Sequence, residues 1–359
     1  MEKYLKLYRG LTVLVTGHTG FKGGWLSLWL SYLGARVVGY SLDPPSNPSF
    51  FQVCNLKNFV KDIRGDICDF QHLLAVVNSS QPSIIFHLAA QSLVRHSFAD
   101  PVKTYQTNII GTLNILEVAR QSKSVSAVIA ATSDKCYYPR KSRLSYREGD
   151  HLGGKDPYSG SKACAEILAE TYRCSFYQRS EQQRPLLATV RAGNVIGGGD
   201  WGKDRLVPDV IRALVSGKTL VLRYPEAKRP WQHVLDALSA YLLLGSRLYQ
   251  GNRELATSWN IGPAATGART VRWMVKQMSK IWGHSCKWEK HQQPDVPENP
   301  YLALNSRRAR LKLGWKPRFS IKEAIEHTTV WYSKYYHKVN MGKFSLEEIR
   351  MYQHPGKRR

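Results

Sequence analysis

Three polar side chains stand together where an apolar run ends: "AVIAATSDKCYYP" brings Ser133, Asp134 and Lys135 to the end of a segment that reads as a buried strand. A hydroxyl, a carboxyl and an amine side by side can move protons to and from one substrate in opposite directions. Twenty-five residues after Ser133, "YSGSK" places Tyr158 and Lys162 four apart. On a helix that spacing puts both side chains on one face. There an ammonium can stabilise a phenolate and draw a phenol that ordinarily titrates near 10 toward neutrality. Tyr137/Lys141 and Tyr224/Lys228 share the spacing, but Pro139 and Pro225 interrupt them, whereas "YSGSKACAEILAETY" continues as a helix. Ser133, Tyr158 and Lys162 together suit hydride removal from a carbinol. That chemistry leaves Asp134 and Lys135 without a role.

The elements that must position these residues alternate. "LTVLVT" (11–16), "RVVGYSL" (36–42), "SIIFHLAA" (83–90), "SAVIAAT" (126–132) and "LLATVRAGNV" (186–195) read as strands. Helical patterns lie between them, such as "GWLSLWLSYLG" and "VKTYQTNIIGTLNILEVARQ". Near-continuous apolar strands alternating with helices imply a parallel sheet covered on both faces. The expected fold is α/β, a Rossmann-type doubly wound parallel sheet with a smaller, mostly C-terminal substrate-binding lobe. We divide it as 8–191 plus 232–262 for the dinucleotide, 192–231 plus 263–335 for the lobe, and 336–359 as a basic C-terminal tail. Trp25, Trp29 and Trp273 read as core, and His233 as a packing residue.

The first strand-to-helix turn, "VTGHTGFKGG", carries Gly17, Gly20 and Gly23. Glycines there permit a tight turn, close approach to a pyrophosphate and close helix-strand packing, with the helix N-terminus holding the charge. Phe21 and Lys22 belong to the same turn as cofactor contacts. Asp43 follows Gly23 by twenty residues, just past the second strand. A carboxylate there can bond a ribose hydroxyl, which favours NAD over NADP. Asp66 and Ile67, in "GDICD", are placed to frame an adenine.

The 359 residues carry a formal charge of +25, with 43% apolar and 11% aromatic residues. That composition is globular. The charge is spread along the chain, with short clusters at 139–143, 305–312 and 356–359, and no nucleic-acid-binding motif accompanies it. It is read as attraction for an anionic small substrate rather than for nucleic acid. Six cysteines form no CxxC pair and no metal cluster is expected, which fits reduced thiols in a cytosol. No apolar run suits a signal peptide or membrane span, so a cytoplasmic protein without membrane insertion is expected.

The GxxGxxG spacing with Tyr158 and Lys162 resembles the extended short-chain dehydrogenase/reductase superfamily. Ser-Asp-Lys at 133–135, with "GHTGFKG", "LAAQ", "DPYSGSK", "RAGNVIGGGDW", "KDRLVPD" and "RPWQHV", is similar to the CDP-glucose 4,6-dehydratases from about residue 8 to 335. The resemblance implies NAD as cofactor and CDP-glucose as substrate. It implies Lys135 as the base at C5, Asp134 as the acid at C6, and Asn194, Arg205 and Arg229 as substrate contacts. It also implies a homodimer and a place in 3,6-dideoxyhexose and surface polysaccharide synthesis. Asn305 stands where the family pattern has an aspartate. A nucleotide-sugar 4-epimerase would need the Ser-Tyr-Lys set but not Asp134 and Lys135. An NAD-sensing nucleic-acid-binding relative, the alternative from another class, would not need Tyr158 and Lys162.

Overall fold

The computed structural model of the protein describes residues 2–140, 144–179, 185–263, 268–292 and 302–354. Residues 141–143 and 356–359 of the basic clusters lie outside these. Six strands lie within the first 192 residues: β1 (Thr12–Thr16), β2 (Arg36–Ser41), β3 (Lys61–Arg64), β4 (Ile84–His87), β5 (Ala127–Ala131) and β6 (Leu186–Ala192). Seven short ones follow: β7 (Val195–Ile196), β8 (Leu220–Leu222), β9 (Lys228–Pro230), β10 (Gln232–His233), β11 (Ser258–Ile261), β12 (Ala268–Thr270) and β13 (Trp288–Lys290). The seven-stranded sheet runs β11-β6-β5-β4-β1-β2-β3 and every pairing in it is parallel.

Leu14 of β1 is level with Val38 on one side and Ile85 on the other, so the winding reverses at β1. Such a reversal leaves a crevice at the carboxyl ends of the strands. Alternate residues feed two cores. Val13, Val15, Ile84, Phe86 and Ile129 enter one, while Leu14, Ile85, Val128 and Ala130 enter the other. Each such fully buried aliphatic side chain contributes about 1.5–3 kcal/mol. The fold is the expected doubly wound one. β3 and β11 are additions: "KDIR" is an edge strand of alternating polarity, with no apolar run to announce it.

The larger core is completed from far along the chain by the helices Val234–Tyr249, Ile321–Tyr336 and Met341–Gln353. Within 336–359, grouped above as a basic tail, Met341, Ile349 and Tyr352 are thus core residues on one face of a helix. The Tyr352 hydroxyl donates to Asp236 Oδ1 at 2.8 Å. Trp25 and Trp29 are fully buried as expected, but Trp273 is only half-buried, with the Arg269 guanidinium 5.5 Å over its ring. Its ring packs against the edge of the larger core, with the Arg269 guanidinium over its face. His233 packs edge-on against Phe319 at 5.1 Å and caps the helix that follows it. Among the described residues no helix is long and apolar enough to cross a membrane.

The loop 197–205 rests on an aromatic bed supplied by the helix Ile321–Tyr336. Trp331 lies 5.7 Å from Trp201, Trp25 Nε1 donates to the Gly198 carbonyl at 2.9 Å, and the Tyr332 hydroxyl donates to the Asp200 carbonyl. A Cβ at Gly198 would come within 2.0 Å of the Trp331 ring. Gly198→Ala is therefore expected to cost about 1–3 kcal/mol, read as a lowered Tm. At Gly149 a Cβ would meet nothing within 4 Å, so Gly149→Ala should stay within about 0.5 kcal/mol of the parent.

Candidate active site

The glycine turn is built by close approach. Gly17 has φ +75°, and a Cβ there would meet the Ala89 backbone at 2.8 Å; one at Gly23 would meet the Gly17 carbonyl at 2.1 Å. These two glycines hold β1, β4 and the helix Phe21–Tyr32 together. Gly20 differs, since a Cβ would meet only the Gly17 carbonyl, at 3.4 Å. It caps the helix without a side chain, so the first-turn N–H groups lack intrahelical partners. With the helix dipole behind them they fit a pyrophosphate. Thr16 Oγ1 bonds His87 Nδ1 at 2.8 Å and accepts from Leu88 N at 3.1 Å, stitching the two strand ends below the turn.

Asp43 lies just past β2, highly exposed and 3.6 Å from Arg64 Nη1. Asp66 accepts from Cys68 N at 2.9 Å and from Lys103 Nζ at 3.0 Å. Burial works to raise its carboxyl, but the hydrogen bonds from Cys68 and Lys103 hold it below its ordinary value. The Ile67 side chain is buried in the core against Gly111.

At the end of β5, Ser133 caps a 3-10 turn, Asp134–Cys136, accepting from Lys135 N at 3.2 Å. Its hydroxyl donates to Asp134 Oδ1 at 3.1 Å. Asp134 is 4% exposed, and its Oδ2 has no hydrogen-bond partner among the described residues. Burial raises its pKa against the opposing charges of Lys135, Arg229 and Lys22 and the bond from Ser133. A carboxyl so placed is moved toward the protonated form, the one that can act as an acid. Lys135 is half-buried beside it.

The helix Pro157–Tyr172 begins with Asp156 as its cap, accepting from Ser159 N at 2.9 Å, and Pro157 in its first turn. The cap fixes Tyr158 and, one turn on, Lys162; both are buried. Lys162 Nζ donates to the Ala131 carbonyl at 3.4 Å, at the end of the strand that carries Ser133. Burial pushes the Tyr158 phenol up to about 12, while a hydrogen bond with Ser133 and the charge of Arg205 pull the other way. Lys162 is itself pushed down to about 8, by burial first and by the charge of Lys22 second. The lowered phenol expected from the Tyr-Lys spacing is thus not supplied by the chain's own charges, because the desolvation that isolates the pair raises the acid and lowers the base.

Further cations converge on the same place. Lys22 is pushed down to about 8 by burial and by Arg205, with Asp134 and Asp200 opposing. Arg205 donates to Asp200 Oδ2 at 2.8 Å and to Ser92 Oγ at 2.8 Å. Arg229 is buried on β9, directly opposite Arg269 of β12. Asn194 lies between β6 and β7, its carbonyl accepting from Gln232 N at 3.0 Å. Asn305 accepts from Arg307 N at 2.9 Å and so holds its own turn. The structure therefore gathers Lys22, Ser133, Asp134, Lys135, Tyr158, Lys162, Arg205 and Arg229 by geometry or field, while Asp43 and Asp66 stand off at the ends of β2 and β3. Two residues that matter here were not singled out from sequence. Asp200 orients Arg205, and a Cβ at Gly193 would come within 2.9 Å of Asp134 Oδ2. The tight run "RAGNVIGGGDW" was their only signal.

Residues 14–328 match the sequence profile of the GDP-mannose 4,6 dehydratase family. The CDP-glucose 4,6-dehydratase of Salmonella typhimurium is 43% identical over 347 residues, covering 96% of this chain and 97% of that protein. The UDP-glucose 4-epimerase of Mycolicibacterium smegmatis is 27% identical over 328 residues, covering 90% and 98%. Among solved structures, the dTDP-glucose 4,6-dehydratase of Bacillus anthracis in complex with NAD superposes with a TM-score of 0.76 at 21% identity, covering 93% of this chain and 100% of that one.

Burial of Lys162 has a measurable sign. Its amine titrates near the ordinary 10.5 in the unfolded chain and at about 8 in the folded one. Between those values the unfolded state binds the extra proton, so stability rises with pH. In Lys162→Met that rise disappears. The variant should be more stable than the parent by about 1–3 kcal/mol below pH 8, the gap closing toward pH 10. Parallel Tm curves for the two proteins would refute it.

Proposed function

We propose, from the premise that this chain belongs to the GDP-mannose 4,6 dehydratase family, that it removes water from CDP-glucose to give CDP-4-dehydro-6-deoxy-glucose. It is a hydro-lyase that uses NAD without net consumption. The observation that carries the reading is Asp134, buried, with its carboxyl raised by burial, beside Lys135. A 4-epimerase has no use for an acid and a base at that position.

The turn residues Gly17, Gly20, Phe21, Lys22 and Gly23, with Asp43 at the ribose and Asp66 and Ile67 toward the adenine, would hold NAD, which would supply the hydride acceptor for C4 and the hydride for C6. The rest is the work of side chains. Tyr158 takes the C4 hydroxyl proton, with Ser133 bonded to the same oxygen and Lys162 offsetting the phenolate charge. The ketone at C4 makes the C5 hydrogen acidic. Lys135 takes that proton, and Asp134 gives its own to the C6 hydroxyl, which leaves as water. Lys135 then returns the proton to C5 as C6 is reduced. One turnover leaves Tyr158 a proton richer and Asp134 a proton poorer. Ser133, which donates to Asp134 Oδ1 at 3.1 Å and bonds Tyr158, lies between them for the reset. Asn194, Arg205 and Arg229 hold the diphosphate and its ribose, a task for which the arginine fork is suited.

The lobe of 192–231 and 263–335 is taken to close over the nucleotide sugar. A homodimer is supported by an exposed apolar set on the helices Val94–Ala99, Pro101–Tyr105 and Pro157–Tyr172 and the turns after them: Phe98, Val102, Tyr105, Ile110, Ile167 and Phe176. The reaction belongs in the cytoplasm, where soluble nucleotide sugars are made, and its product would feed 3,6-dideoxyhexoses into surface polysaccharide.

Incubation with CDP-glucose, and with the TDP, UDP and GDP sugars in parallel, should show loss of one water from CDP-glucose alone without net NADH. A galactose product of unchanged mass would refute the dehydratase. Lys135→Met should lower kcat by about 10²–10⁴-fold while the cofactor is still reduced. Equal loss of cofactor reduction would remove Lys135 from the C5 step.

A further inference from the structure

One buried ion pair lies directly behind the reacting residues. Glu166 is one turn beyond Lys162 on the same helix, and Arg191 is on β6. Arg191 Nη2 and Glu166 Oε2 are 2.7 Å apart, with side chains 4% and 1% exposed. Charges so deep in a fold are retained only where further hydrogen bonds satisfy them, and they are weak evidence for stability in themselves. Here the further bonds are directional. Glu166 Oε1 accepts from the Thr132 hydroxyl and Oε2 from that of Thr189 at 2.8 Å. Arg191 Nη1 donates to the Tyr137 hydroxyl at 2.8 Å and to the Glu148 carbonyl at 2.9 Å. The Tyr137 hydroxyl in turn donates to Asn260 Oδ1 of β11 at 2.6 Å.

Thr132 and Tyr137 are the residues that flank Ser133–Cys136. We infer that Glu166 and Arg191 are positioning residues that clamp both ends of the segment bearing Ser133, Asp134 and Lys135 to the helix bearing Tyr158 and Lys162. Neither touches substrate. Their effect is on register: the helix brings Tyr158 and Lys162 to C4, the clamped segment brings Ser133 to the same oxygen and Asp134 and Lys135 to C5 and C6, and the pair holds one against the other. Misplacement by about 1 Å is enough to cost a reaction about 100-fold. The hydroxyl struts make the idea separable from folding, because each can be cut while both charges stay paired. The inference rests on the dehydratase reading.

The test uses the NAD-loaded enzyme with CDP-glucose and three variants: Thr132→Val, Tyr137→Phe and Glu166→Gln. Released from one strut, the Ser133–Cys136 segment should slow oxidation at C4 only modestly, because Tyr158 and Lys162 stay in place on the helix, but deliver Lys135 and Asp134 poorly. Stopped-flow absorbance should then show reduced nicotinamide accumulating in the first turnover, where the parent shows little. The steady-state kcat should fall about 10- to 100-fold, with KM within about twofold of the parent. A merely structural role would lower the active fraction and leave the reduced-cofactor level per active site unchanged. That outcome, or an unchanged kcat in both hydroxyl variants, overturns the inference. If Glu166→Gln does not fold, Thr132→Val and Tyr137→Phe decide alone. A parent that yields no dehydrated product would refute the dehydratase reading itself, a failure distinct from any of these.

Discussion

Parallel strands that end level with one another confine the chemistry of this protein to one edge. β1, β4, β5 and β6 all point their carboxyl ends the same way, in registers fixed by two apolar cores. Whatever follows each strand must therefore arrive in the same narrow space: a glycine turn after β1, Ser133 to Lys135 after β5, Gly193 and Asn194 after β6. No loop has to reach far. The consequence is crowding, with Lys22, Lys135 and Arg229 acting on the buried Asp134, Arg205 held by the buried Asp200, and Lys162 close by.

Crowded charge away from water sets the proton affinities of the site. Burial lifts Asp134 and Tyr158 and depresses Lys22 and Lys162. Each of these groups is moved toward its neutral form, which suits Asp134 as an acid but works against Tyr158 as a base and against the charge of Lys162. The same low polarity that makes them useful makes them costly, which is why the helix cap at Asp156 and the close packing at Gly193 leave the acid and the phenol so little room to relax.

Most of the fold was legible because the strands of a doubly wound sheet are apolar on both faces and announce themselves. Tyr158 and Lys162 were legible because prolines broke the competing pairs, and Ser133 because it ends a strand. What escaped has a common cause. β3 and β11 hold their places through register rather than through an apolar run. Glu166, Arg191 and Asp200 look like surface charges in a chain rich in them, and only tertiary packing buries Glu166 and Arg191 together. Trp273 packs against the larger core but is only half-buried, a distinction that does not show in sequence, where an indole at the rim looks the same as one in the core. The direction of the Tyr158 shift could not be read from spacing at all, because it depends on how much water the folded chain excludes.

The aromatic bed beneath the loop 197–205 carries a consequence for how the protein comes into being. Trp331 and Tyr332, which support the loop that ends in Arg205, lie on one of the last helices, and Tyr352 reaches back to Asp236 from the very last. The sheet and its glycine turn are complete long before these helices leave the ribosome. A nascent chain can therefore form its sheet and glycine turn early, yet Arg205 has no floor until Trp331 and Tyr332 have been made. A chain cut short of residue 321 would keep the turn but lose the support of that loop.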